Sequence, residues 1–297
     1  MTLSLLGFLL EPLWGQDLEP RRWTPLPLGM KVMGIGFGQT TGDLFFDPVL
    51  NVEDARVDME SVGLSYVHSF ELLGKLARLD VLLSQQSATW EGLLDGEPAR
   101  VDRSGFADPR IRLSFALLGA PPLEGRKMQT RLKEKKNHTV LGGAIAVNLP
   151  WGEYFEDKLL NIGQNRYTIR PQLGLVHTRG PWSYELTGSV FLYTDNDAFF
   201  AGTTREQDSL FAFQSHVVRV FKPGVWASLS AGYGWGAGSV VGGVAKDDER
   251  GDFLAAFSFG FPVSKTQGIK LAYVRARTQK ELGGDTDTFG LAWSMRL

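Results

Sequence analysis

The chain has 297 residues, no cysteine, a formal net charge of −2 and a pI near 6.1. That balance argues against a protein built to grip nucleic-acid phosphates, and the missing thiols exclude a disulfide scaffold, a thiolate zinc site and a cysteine nucleophile. Mean hydropathy is −0.10 and no apolar run approaches the ~20 residues of a membrane-spanning helix, but strands that hide their apolar half by alternation escape that test.

The first sixteen residues, MTLSLLGFLLEPLWGQ, carry a short apolar core and then Gly15, as a secretory signal would. No Lys or Arg precedes the core, and Leu13 is not the small residue expected ahead of a cleavage point. Residues 1–16 are therefore expected to be a signal peptide, truncated or with a displaced start; the alternative is an ordinary N-terminal strand or helix. Residues 17–28 are expected to be a separate short segment ahead of the rest of the chain, 29–297.

From there period-two segments recur, at 29–40, 56–70, 75–89, 105–118, 138–150 and 165–177 in the first part of the chain. They continue at 181–194, 209–221, 225–236, 250–262, 268–279 and 286–297. That makes about twelve strands, most of them longer than the usual 5–6 residues and sufficient for the ~9–11 that cross a bilayer at a tilt. Short turns at FELLGK (70–75), TRGP (178–181), FKPG (221–224) and VSKTQG (263–268) alternate with longer connectors. The long ones are TGDLFFDPVLNVED, EGLLDGEPARVDRSG, GEYFEDKLLNIGQN, DNDAFFAGTTREQD and GAGSVVGGVAKDDERG. Short on one rim and long on the other is the pattern of a transmembrane barrel with periplasmic turns and extracellular loops. The basic segment 119–137, with a short helix expected near 124–136, breaks the rule as a periplasmic excursion.

The facing of the strands follows from cost. In DPRIRLSFAL (108–117), Arg110 and Arg112 alternate with Ile111, Leu113, Phe115 and Leu117. In NRYTIRPQLGL (165–175), Arg166, Thr168, Arg170, Gln172 and Gly174 oppose Tyr167, Ile169, Pro171, Leu173 and Leu175. An arginine on the lipid face costs about 2–4 kcal/mol at the midplane, so a slip by one residue is strongly resisted. Arg78 and Asp80 likewise oppose Leu79, Val81 and Leu83, and Glu185 opposes Tyr184 and Leu186. The sequence ends in TFGLAWSMRL, an alternating strand of the kind that outer-membrane barrels present to their assembly machinery, although Leu297 is not the usual terminal aromatic residue. Trp182, Trp226, Trp235, Tyr233 and Tyr273 fall near expected strand ends, where interfacial girdles sit.

Several stretches also resemble the outer-membrane transporter family described as "putative MetA-pathway of phenol degradation". They are DLEPRRWTPLPLG (17–29), GDLFFDPVLNVEDA (42–55), SGFADPRIRLSFALLGAPP (104–122), DKLLNIGQNRYTIRPQLG (157–174), FLYTDNDAFF (191–200), REQDSLFAFQSHV (205–217), KDDERGD (246–252) and DTFGLAWSMRL (287–297). The resemblance implies an outer-membrane barrel of a Gram-negative bacterium and, much less specifically, passage of aromatic compounds.

The expected fold is all-β: a single antiparallel transmembrane β-barrel of about twelve strands over 29–297, with residues 17–28 as a periplasmic segment that reaches into its lumen as a partial plug. Its candidate lining is Arg78, Asp80, Asp108, Arg110, Arg112, Arg166, Arg170, Gln172, Glu185, Gln214 and His216, which could filter solutes or merely brace a narrow barrel as an ion-pair lattice. Phe45, Phe46, Phe199 and Phe200 could form an apolar capture patch on the loops, or pack the loops onto the mouth. No catalytic residue, cofactor or metal is expected. GIGFG and GYGWGAG lack the strand-to-helix context of a phosphate loop, the four histidines are scattered, and Ser215 neighbours His216 and so faces the other side of its strand. The expected partners are outer-membrane lipid and lipopolysaccharide, a small hydrophobic or aromatic solute, and the barrel-assembly machinery; nucleic acid is not among them. The expected function is a channel or transporter for such solutes. The alternatives are a lipid-modifying or purely structural barrel, and a soluble β-sandwich binding module.

Overall fold

The computed structural model describes residues 18–47 and 50–297, so the expected signal segment lies outside the described residues. The wall begins with β1 (Lys31–Phe45), β2 (Val52–Leu72), β3 (Lys75–Leu94), β4 (Glu97–Phe106) and β5 (Arg110–Leu118). After helix α1 (Gly125–Glu134) come β6 (Asn137–Asn148), β7 (Thr168–Arg179) and β8 (Trp182–Tyr193). Two short strands, β9 (Asn196–Phe199) and β10 (Thr203–Gln207), precede β11 (Leu210–Lys222) and β12 (Val225–Gly236). A second short pair, β13 (Ser239–Val241) and β14 (Val244–Ala245), leads into β15 (Arg250–Pro262), β16 (Gln267–Thr278) and β17 (Gly283–Arg296).

Every wall strand is antiparallel to its neighbours, and β1 closes the ring by pairing with both β2 and β17. Strands β4 and β5 pair end to end along β3, through Gln85–Leu94 and Ala77–Leu82, and so count as one interrupted wall strand. The result is a closed barrel of twelve strands. Closure removes the unpaired edges that an open sheet could not carry in hydrocarbon.

The alternation sorts as the arginines require. Arg112 and Arg170 are 3% and 4% exposed and point inward, whereas Ile145 and Leu173 are 56% and 62% exposed on the outside. The outward rows Met33, Ile35 and Phe37 of β1, Val62 and Leu64 of β2, and Phe253 and Phe257 of β15 continue the apolar band. Farther along β1, β2 and β3 the outer face turns polar, through Thr41 and Asp43, Arg56, Asp58 and Glu60, and Ser87 and Glu91. There the sheet rises out of the apolar band and carries its own small core on the inner side: Leu44, Val57, Met59 and Trp90, with Phe46, Leu160 and Ile162 packed against it.

The connectors differ from the sequence expectation in three places. EGLLDGEPARVDRSG is not a loop but the tip of a hairpin, turning at Asp95 and Gly96, both at positive φ (52° and 80°) as a type I′ turn demands. The two loops around 195–208 and 237–249 fold into a four-stranded sheet, β14-β13-β10-β9, over the mouth. Arg166, expected within a strand, precedes β7, which starts at Thr168. The short helix forms as expected. Its Met128 is buried against Leu76, Ala120, Val140 and Val176, which closes the rim that carries the short turns.

Candidate functional site

The lumen is crossed by the segment 18–28. Leu18 packs on inward-facing Leu254, Ala256 and Val274, Trp23 on Val140, Ala144 and Val176, and Leu26 on Val32 and Val67. The indole of Trp23 fits because Gly142 and Gly174 face each other across β6 and β7. A Cβ on either would lie 2.4 Å or 2.0 Å from the ring. The Trp23 indole N–H donates to Thr187 Oγ1 at 2.8 Å. Glycine at 232 likewise makes room for Leu18, with a Cβ there meeting Leu18 Cδ2 at 2.8 Å. Within GYGWGAG it is Gly232 that the segment crowds, whereas Gly236, at a φ of 100°, lies against the Ser209 carbonyl. Ser69 anchors the exit, accepting at its backbone carbonyl from Gly29 N–H (2.9 Å) and donating from its N–H to Met30 (3.0 Å).

The charged lining locks onto this segment. Arg78 donates to Asp80 at 2.8 Å and to the Arg22 carbonyl at 3.1 Å. Arg112 lies 3.6 Å from Asp80, donates to Gln172 Oε1 at 2.8 Å and stacks over Trp23 at 4.7 Å. Glu185 accepts the Arg21 N–H at 2.8 Å, and Arg22 pairs with Glu19 at 2.6 Å. Arg170 lies 4.3 Å over Phe191, Arg166 4.4 Å over Tyr193, and Arg110 is buried. Gln214 and His216 are both buried, and the His216 ring bonds Ser230 Oγ of the neighbouring strand at 2.8 Å. That contact runs across the β11–β12 ladder, where the spacing along one strand could not reveal it.

Some candidates stand elsewhere. Asp108 is not on the lumen wall: it occupies the break between β4 and β5, where its two carboxylate oxygens accept the N–H groups of Gly152 and Gln164, each at 2.9 Å. It clasps the 152–164 loop. The four loop phenylalanines form no common patch. Phe45 ends β1, Phe46 joins the raised core, Phe200 is exposed, and Phe199 alone lines the mouth cavity. Trp226 is no girdle residue; at 2% exposure it points inward against Gly260, with Arg21 5.2 Å above its ring. Trp182, Trp235 and Tyr233 do face outward.

At the outer mouth, beneath the β9–β10 and β13–β14 sheet, lies a cavity of about 230 Å3. Its wall combines Arg166, Arg205 and Arg250 with Tyr154, Tyr193 and Phe199. Sequence reasoning missed Arg205 because it belongs to a segment read as a connector, and Arg250 because it stands at the very start of the expected strand 250–262, where alternation says least about facing. Burial first, then the facing Arg205, brings the Arg166 guanidinium below its ordinary pKa, to about 10; it stays charged near neutrality. Among the described residues no group of three or more His, Cys, Asp or Glu could hold a metal ion.

The family described as "Putative MetA-pathway of phenol degradation" matches residues 35–297. The chain belongs to this family. Among solved structures, it is similar to an outer membrane channel from Pseudomonas putida F1, at 20% identity and a TM-score of 0.77, over 95% of this chain and 100% of that one. It also resembles the transport unit of the autotransporter AIDA-I from Escherichia coli (10% identity, TM-score 0.52, 95% and 93% covered). The translocator domain of the autotransporter NalP from Neisseria meningitidis follows (8% identity, TM-score 0.51, 93% and 91% covered). No curated protein matches the chain. The architecture is that of a Gram-negative outer-membrane barrel, with apolar flank to lipid and arginine to lumen.

Proposed function

We propose that the chain is an outer-membrane channel for passive or facilitated passage of small hydrophobic or aromatic molecules, with the segment 17–28 as a partial plug. The observation that carries it is the internal segment itself. It fills the lumen through a few side chains, Leu18 and Trp23 in recesses lined by glycine and alanine and Leu26 against Val32 and Val67, rather than through a strand added to the wall. The ring of strands is complete without it. The aromatic faces of Phe191, Tyr193 and Phe199 line the way from the mouth, and the similar Pseudomonas putida structure is described as an outer membrane channel. Strand β17, which seals the ring against β1, is the surface offered to the assembly machinery, and the apolar band with the polar sheet above it meets outer-membrane lipid and lipopolysaccharide.

Planar-bilayer recordings and liposome swelling with the refolded protein test this. Single-channel steps and solute-dependent swelling are expected, and folded protein that gives neither overturns it. The His216–Ser230 contact is the one observation that favours an enzymatic reading. Both residues are packed into the wall, and covalent labelling by a fluorophosphonate that Ser230→Ala abolishes would establish that reading instead.

A further inference from the structure

We propose that the cavity at the outer mouth is a binding site for a small aromatic carboxylate, held by Arg166. The inference rests on the channel reading for its purpose, as a first docking point above the lumen, but the site is defined by its own chemistry.

Arg166 is only 8% exposed, yet its Nη1 has no hydrogen-bond partner among the described residues. The rest of the guanidinium is fixed: Nη2 donates to Gln207 Oε1, and Cζ sits 4.4 Å over the Tyr193 ring. Arg205 enters from the overlying sheet, with Cζ 5.4 Å from the Phe199 ring and its Nε also unsatisfied. The acids nearby are already engaged. Asp248 lies 3.8 Å from Arg205 and accepts from Ser239, Asp252 pairs with Arg250, and Asp108 is taken by two backbone N–H groups. No carboxylate among the described residues comes within ion-pair distance of Arg166. A buried charge costs several kcal/mol unless it is paired, and the planar guanidinium fork matches a carboxylate.

The walls say what carries that carboxylate. Tyr154, Tyr193, Phe199 and Leu159 form an apolar flank, with the amides of Asn161 and Gln164 on the rim. The volume, about 230 Å3, is below the ~300 Å3 at which sites for drug-sized ligands begin, so the occupant is limited to about a single ring.

Calorimetric titration of the folded full-length barrel in detergent, with benzoate, phenol and inorganic phosphate as probes, tests the assignment. Benzoate should bind at one saturable site, at least tenfold more tightly than phenol, which lacks the charge, or phosphate, which lacks the ring. Arg166→Gln should weaken benzoate at least tenfold, Arg166→Lys should recover part of the loss, and Arg100→Gln on the exposed hairpin should change nothing. Heat-modifiable migration on gels verifies that each variant has folded. Phosphate or phenol matching benzoate, or an Arg166→Gln protein that binds benzoate as before, overturns the proposal. Benzoate binding in a protein that conducts nothing would remove the channel reading and leave the site, and conduction without benzoate binding would do the reverse.

Discussion

Trp23 occupies a slot that exists only because residue 174 has no side chain: a Cβ on Gly174 would stand 2.0 Å from Trp23 Cε2. The same ring is held from above by Arg112 and from its edge by Thr187, so one indole joins the internal segment to three wall strands.

If that indole closes the lumen, Trp23→Ala and Gly174→Leu should both raise single-channel conductance, the first by removing the ring and the second by expelling it. Wild-type conductance in both folded variants would show that the obstruction lies elsewhere.

The height of the lipid band can be measured by substitution. Leu173→Arg places a cation in hydrocarbon and should cost about 2–4 kcal/mol in reversible unfolding from lipid vesicles. Ser87→Arg, also on the outer face but beside the charged rows of β2 and β4, should stay within about 0.5 kcal/mol. Equal effects at the two positions would mean that the band has been drawn at the wrong height.

Arg166 should be a liability for stability. Burial depresses its pKa to about 10, so its folded state disfavours the charge that the unfolded chain carries freely. The sign follows: the cost is constant at every pH below about 10 and is relieved only above it. Arg166→Met is therefore expected to stabilise the barrel by on the order of 1–3 kcal/mol, equally at pH 6 and pH 8, in urea titrations. A destabilised variant would show that the guanidinium is a structural tie rather than a waiting ligand.

Among the described side chains of helix α1, Met128 is the buried one. Met128 is 1% exposed within the cluster around Trp23, and Met128→Ala should cost about 2–5 kcal/mol locally. Protease cleavage within 125–134 should accelerate while the barrel core survives; unchanged cleavage would mean that the helix is held by other contacts.

The order and facing of the strands were legible from the residues alone. Hydrocarbon and water each act on one side chain at a time, and a period of two is local, so Arg110, Arg112 and Arg170 fix the register of their strands without knowledge of their neighbours. Turn chemistry is local as well, and the Asp95–Gly96 pair in LLDGEP is a hairpin signal within a stretch whose length alone suggests a loop.

The pairings across the ring were decided only by tertiary structure. Trp23 meets Thr187 at a separation of 164 residues, and His216 meets Ser230 because the β11–β12 ladder falls in that register. Arg205 reaches the mouth cavity because two unremarkable loops pair with each other above it. The inward turn of Trp226 and the loop-clasping role of Asp108 belong to the same class. Alternation tells a strand which side is wet. What fills the wet side depends on how many strands close the ring and with what stagger, and no single segment of the chain contains that information.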